Sequence, residues 1–237
     1  MFQTYDDTAN PALGKARAAK LREELARRGL DGFLIPRADE HQGEYVPDCD
    51  ARLAWLTGFT GSAGLAFVGT SSAALFVDSR YTLQAPAQTD TGIFTVIDTT
   101  TTQPGKWLAD HLAKGTRLGF DPWLHTPGQI EMMEKALGSA GVELVPVDNL
   151  VDAVWQDRPA PPQGPIEVLG PNRTGKSSAE KLADIRAAMS EQQADAVVLT
   201  LPESLCWLYN IRGRDVPHNP FVLGFSIVTA EGTPVLF

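Results

Sequence analysis

The chain has 237 residues, 43% of them hydrophobic, which is more than one domain usually needs and ample for packed cores, so two domains are expected. A formal charge of −9 without a basic cluster argues against nucleic acid as a partner, since such a surface gathers Lys and Arg on one face. The start has neither basic residues nor an apolar core, no run approaches the length of a membrane span, and the cysteines, Cys49 and Cys206, are isolated; a cytoplasmic protein without leader, span or disulfide scaffold is expected.

Residues 12–35 read as an amphipathic helix followed by a strand. Leu13, Leu21 and Leu25 form the apolar stripe, Glu23/Arg27 and Glu24/Arg28 stand four apart, Gly29 is the stop, and Gly32–Ile35 is the strand. Trp55-Leu56 precedes two apolar runs, Leu65–Val68 and Leu75–Asp78, joined by Gly69–Ser72 as a β-hairpin. Thr99–Thr102 reads as an exposed loop, 105–114 as a helix and Arg117–Phe120 as a strand. Thr126-Pro127 opens a helix to about Leu137, Val142–Val145 is a strand, and a short apolar helix runs through Val151 to Trp155. Helices between strands predict an α/β domain over 1–155, with a mixed sheet covered by helices. The Pro-rich stretch 156–165 predicts a semi-extended linker.

Residues 166–237 repeat the opening order. A helix begins at Ser177 with Leu182, Ile185 and Met189 inward, Ala196–Leu199 is the strand, and Trp207-Leu208 precedes a second hairpin, Phe225–Val228 with Val235–Phe237. The spacing places Phe237 where Val77 stands. This second domain is therefore read as partial, with an exposed sheet edge and apolar face that favour self-association.

Few residues announce chemistry. Gly170–Ser177 fits GxxxxGK[ST], yet no buried strand precedes it, and Ser177-Ser178-Ala179-Glu180 is a capping box that already employs the serine. Gly58, Gly61 and Gly64 suit close backbone turning and match no nucleotide or hydrolase fingerprint, and Ser62 has no local base. His41, His111, His125 and His218 are scattered and read as solvated or hydrogen-bonding residues. Asp78, Asp121 and Asp148 end strands, where acidic residues serve either sites or turns. No catalytic residue and no metal ligand set is read in the chain.

The segment 39–84, DEHQGEYVPDCDARLAWLTGFTGSAGLAFVGTSSAALFVDSRYTLQ from its Asp39, together with Gly119–Pro122 and the stretch Trp207–Pro220, WLYNIRGRDVPHNP, resembles the Xaa-Pro aminopeptidases of the cytosolic type. The resemblance implies two creatinase N-terminal-like domains that contribute substrate recognition and oligomerisation. It also implies a separate catalytic domain, absent from this sequence, in which two manganese ions drive removal of a residue preceding proline. Asp78-Ser79-Arg80-Tyr81 matches the family's DGRY-like motif, with serine in place of glycine, and implies Arg80 as a peptide-binding residue. The alternative is a stand-alone binding module of the same family. The implied partners are a peptide with proline in second position and further copies of the protein, with neither nucleic acid nor membrane.

Overall fold

The computed structural model describes residues 9–237. They form two compact units, one taking the chain through Glu40 together with Cys49–Pro159, the other His41–Asp48 with Ala160–Phe237. Grouping of residues 41–48 with the second unit differs from the sequence reading, which assigned everything to 155 to the first. The cause is tertiary: within the second unit His41 places Nδ1 3.0 Å from the Thr200 carbonyl and stacks on Phe225 at 4.5 Å.

In the first unit, α1 (Gly14–Arg28) leads to β1 (Gly32–Pro36), α2 (Arg52–Thr57), β2 (Leu65–Gly69) and β3 (Ala73–Val77). Then follow α3 (Gln84–Gln88), β4 (Thr95–Asp98), α4 (Pro104–His111), β5 (Arg117–Phe120), α5 (Pro127–Gly138), β6 (Glu143–Pro146) and α6 (Leu150–Val154). The sheet order is β4-β3-β2-β1-β5-β6, antiparallel in the middle pairs β1–β2 and β2–β3 and parallel outside them, as a mixed sheet requires. Glycine stops α1: Gly29 takes φ 62 and the Leu30 amide donates back to the Leu25 carbonyl at 3.0 Å. Thr126 and Gln129 close a reciprocal capping box on α5.

Strands buried on both faces read as continuous apolar runs because each face has its own helices. Phe33, Ile35, Ala66 and Val68 face Leu21, Leu25, Leu56 and Val151 from α1, α2 and α6. The alternate residues Leu34, Phe67, Ala74 and Phe76 face Leu108 and Leu137 from α4 and α5. Each fully buried Phe or Leu contributes about 1.5–3 kcal/mol relative to exposure. At one edge Arg52, 6% exposed, donates to both carboxylate oxygens of Asp152 (2.7 and 2.9 Å) and to Asp50 (2.8 Å). Arg158, in the stretch expected to be linker, pairs with the same Asp152 at 2.8 Å and accordingly stays with the first unit.

In the second unit, β7 (Glu167–Val168), α7 (Pro171–Thr174), α8 (Ser178–Glu191), β8 (Ala196–Leu199), α9 (Pro202–Tyr209), β9 (Ile211–Arg212), β10 (Ser226–Thr229) and β11 (Val235–Leu236) follow in order. β8, β10 and β11 make a three-stranded antiparallel sheet, and β7 pairs with β9. The repeat extends to register. β1 pairs its first residue with the last of β2, Gly32 with Gly69, and β8 does the same with β10, Ala196 with Thr229. The expected equivalence of Phe237 and Val77 fails by one position. Phe225 exchanges both backbone bonds with Phe237 (3.2 and 2.9 Å), whereas its counterpart Leu65 pairs with Phe76, because the turn carrying Gly232 at φ 83 is one residue longer.

Lys181, 3% exposed, holds this unit's helix pair together. Its ammonium donates to the Trp207 carbonyl at 2.7 Å and the Asn210 side chain at 2.5 Å, neutralising the C-terminal end of α9 where Asn210 caps at φ 54.

Candidate functional site

The turn that follows β3 brings together Asp78, Arg80, Ser62 and the Gly58–Gly64 series. Asp78 ends the extended strand and accepts the Arg80 amide proton at 2.9 Å, which starts a 3-10 turn over Ser79–Tyr81. The same carboxylate receives the guanidinium as a fork, Nε at 3.0 Å and Nη2 at 2.7 Å, and the guanidinium carbon lies 5.0 Å from the Tyr81 ring centre. Arg80 remains 62% exposed. An exposed pair of this kind contributes about 0–1 kcal/mol, so a ligand oxyanion can compete for it at little cost to the fold. Ser79 replaces a glycine without strain: positive φ at non-glycine positions occurs at Gln42, Gln193, Asn210 and His218, not at Ser79.

Tyr81 anchors the turn from below. Its hydroxyl accepts the Ser62 amide proton at 3.0 Å and lies 2.8 Å from Ser62 Oγ, while its ring meets Phe59 edge-on at 5.2 Å. The glycine series makes this approach possible. A Cβ at Gly58, where φ is 87, would sit 2.4 Å from the Gln88 carbonyl, and one at Gly61 would sit 2.1 Å from the Phe59 ring. Gln88, itself buried, accepts from the Thr60 amide, the Thr60 hydroxyl and Gln84, each at 3.0 Å. Loop 58–64 and the 78–88 segment are thus one hydrogen-bonded platform under Arg80. Sequence reading singled out Arg80 by resemblance and did not name this platform; the four-residue spacing of Gln84 and Gln88 on one helical turn was its available sign.

Within the platform Ser62 is spent on Tyr81, and the remaining candidates lie elsewhere. His111 stacks on Trp107 at 4.0 Å with Nδ1 2.7 Å from the Trp107 carbonyl, and His125, beside the Asp121 carbonyl at 2.9 Å, has its imidazole pushed below the ordinary histidine range by burial. Asp121 caps a 3-10 turn and accepts from Asn149 at 3.0 Å. Cys49 and Cys206 are free, buried thiols, both pushed up by burial. Among the described residues no group of three or more His, Cys, Asp or Glu is placed to hold a metal ion.

The phosphate-loop motif is built as a helix cap. Pro171–Thr174 is helical, so the Arg173 and Gly175 amides donate to Gly170 and Pro171 carbonyls at 3.0 and 2.8 Å instead of opening into a phosphate cradle. Ser177 and Glu180 cap α8 reciprocally, and the Lys176 ammonium sits 2.6 Å from Asp184.

The creatinase/prolidase N-terminal domain family matches residues 17–154, and a second family of the same description matches residues 157–237. The chain belongs to this family. Curated relatives include the probable Xaa-Pro aminopeptidase P of Neurospora crassa, 39% identical over 226 residues, which covers 91% of this chain and 32% of the relative. Xaa-Pro aminopeptidase 2 of Sus scrofa is 38% identical over 218 residues, covering 90% of this chain and 32% of its own. Among solved structures, the X-prolyl aminopeptidase from Caenorhabditis elegans, described as a cytosolic enzyme with a di-nuclear active site, superposes with a TM-score of 0.86 at 33% identity, over 94% of this chain and 38% of that one. The chain spans about a third of the length of these relatives. The fold is that of creatinase N-terminal domains. No helix among the described residues is long and apolar enough to cross a membrane.

The Asp78 carboxyl is held below the usual aspartate range, chiefly by its side-chain bond to Arg80. A depressed pKa means that the clamp is intact above the ordinary aspartate value and is lost as pH falls through the lower folded value. Carboxyl NMR of Asp78 should give a midpoint below that of an unpaired aspartate, and Arg80→Ala should move it up; a midpoint unchanged by the substitution would show that the clamp does not form in solution.

Proposed function

We propose that this chain is the substrate-recognising N-terminal part of a manganese-dependent Xaa-Pro aminopeptidase of the cytoplasm. The observation that carries the reading is the likeness of the chain to an X-prolyl aminopeptidase structure, with 33% identity across 94% of its length. Arg80 is the residue that meets the peptide. A rigid guanidinium fork, oriented by Asp78 and carried on the Tyr81 platform, suits a peptide carboxylate or carbonyl oxygen better than an ammonium would. The two manganese ions would be held by residues outside this chain, where metal chemistry would clamp and activate the attacking water. Arg80 takes no part in that step; it binds and aligns.

In the full-length protein, Arg80→Ala should lower kcat/KM for a Xaa-Pro peptide by the factor that corresponds to about 1–3 kcal/mol of transition-state binding, the range for a hydrogen bond to a charged group, with metal content and melting temperature unchanged. An unaltered kcat/KM would remove Arg80 from the account.

Self-association is part of the proposal, and a comparison between the units supports it. Leu34, Phe67 and Ala74 form a cross-strand row buried beneath helices in the first unit. The matching row of the second unit is Val198, Ile227 and Val235, with Val198 59% and Val235 49% exposed. Such a row favours cover by another copy. Sedimentation of the purified chain should show mass rising with concentration, and Val198→Lys should suppress it; a monomer at every concentration would contradict the assignment.

A further inference from the structure

The second unit carries a groove of about 700 Å³ between α7 and the segment 212–220, lined by Arg173, Arg212, Arg214 and His218 with Glu167 as its acidic member. Three guanidiniums facing one carboxylate stand out in a chain of net charge −9. Backbone geometry brings two of them together. Arg212 ends β9, and over the next two residues Gly213 is buried while Arg212 and Arg214 are both exposed on the groove. Gly213 between them is pressed against the opposite strand of backbone, where a Cβ would lie 2.5 Å from the Phe221 carbonyl.

The carboxylates nearby do not neutralise the groove. Glu167 is spent on Arg173 at 3.3 Å, while Arg212, opposite it in the β7–β9 ladder, places Nη1 3.4 Å from the carbonyl of its neighbour Ile211. Asp215 spends Oδ2 on the Leu223 amide at 2.9 Å. Among the described residues the Arg214 guanidinium enters no ion pair. The lip of the groove is a tight turn in which the Asn219 amide donates to the Val216 carbonyl at 3.2 Å and His218 stands at φ 63. That left-handed backbone is unfavourable for a non-glycine residue and is kept where surroundings over-determine it, commonly at ligand sites. Asn219 Nδ2 fixes it further by donating to the Pro217 carbonyl at 3.1 Å.

We propose that this groove binds a small, multiply charged oxyanion, an organic phosphate or a polycarboxylate, on the forks of Arg212 and Arg214. Planar guanidiniums match both oxyanions bidentately, and the volume falls within the range of small-molecule sites. The inference is independent of the aminopeptidase reading, since every residue it uses is in the second unit.

The test is calorimetric titration of the purified chain at low salt with pyrophosphate and, separately, with citrate. Saturable sub-millimolar binding of at least one is expected; binding of pyrophosphate alone assigns a phosphate ligand, and binding of citrate alone a carboxylate. Arg212→Gln/Arg214→Gln should weaken it at least about tenfold, while Lys15→Gln/Lys106→Gln, which removes the same charge elsewhere, should leave it unchanged. Arg214→Lys, a milder change that retains charge and loses the fork, should give an intermediate affinity if the double variant does not fold. No saturable heat with either anion up to about 10 mM, or equal loss in the distant lysine variant, would overturn the site.

Discussion

The antiparallel ladder between β1 and β2 is the constraint on which the rest of the first unit depends. It runs from Gly32 opposite Gly69 to the half-buried pair Pro36 and Leu65, and the side chains between are buried on both faces of the sheet. A slip of one residue would move Phe33 and Ile35 into the layer shaped for Leu34, and Phe67 into the layer shaped for Ala66 and Val68, so two cores hold one register. The two facing glycines are part of that fit, since a Cβ at Gly32 would lie 2.6 Å from the Phe67 ring and one at Gly69 2.7 Å from it. With β2 fixed, β3 is fixed by its own ladder, and the end of β3 is where Asp78 turns the chain and presents Arg80.

The second unit reuses the ladder with a different burden. Its helix, strand and hairpin adopt the same order and the same β8–β10 register, but its sheet has three strands where the first has six. One face is packed by Met189, Leu208 and neighbours, while the row containing Val198 and Val235 stays open. The Arg80 turn of the first unit sits on a hydrogen-bonded loop platform, and the charged groove of the second lies beside the small β7–β9 pair.

Much of this was legible in the residues because local and global preferences agree. The helix ending at Gly29, the N-cap of Thr126, the capping box of Ser177 and the two hairpins stand where periodicity and turn chemistry placed them, whereas Leu13, read into the first apolar stripe, lies in the 3-10 turn before α1 and is 39% exposed. Strand β4 was not legible, since Thr95–Asp98 is a short edge strand, mostly half-exposed, with no clear alternation. Likewise the one-residue shift of the second hairpin depends on turn conformation at Gly232, which strand spacing does not encode. Arg80 is the sharpest case. Its physical chemistry alone describes a surface arginine paired with Asp78, as observed, and only the DSRY resemblance gave it a peptide to bind.

Hydrolysis by the full-length product of the gene encoding this chain tests the functional account most directly. With manganese present, it should release the first residue from a peptide with proline in second position and leave the matching alanine peptide intact. No release from either peptide, or equal release from both, would contradict the reading of this chain as the recognition part of a Xaa-Pro aminopeptidase.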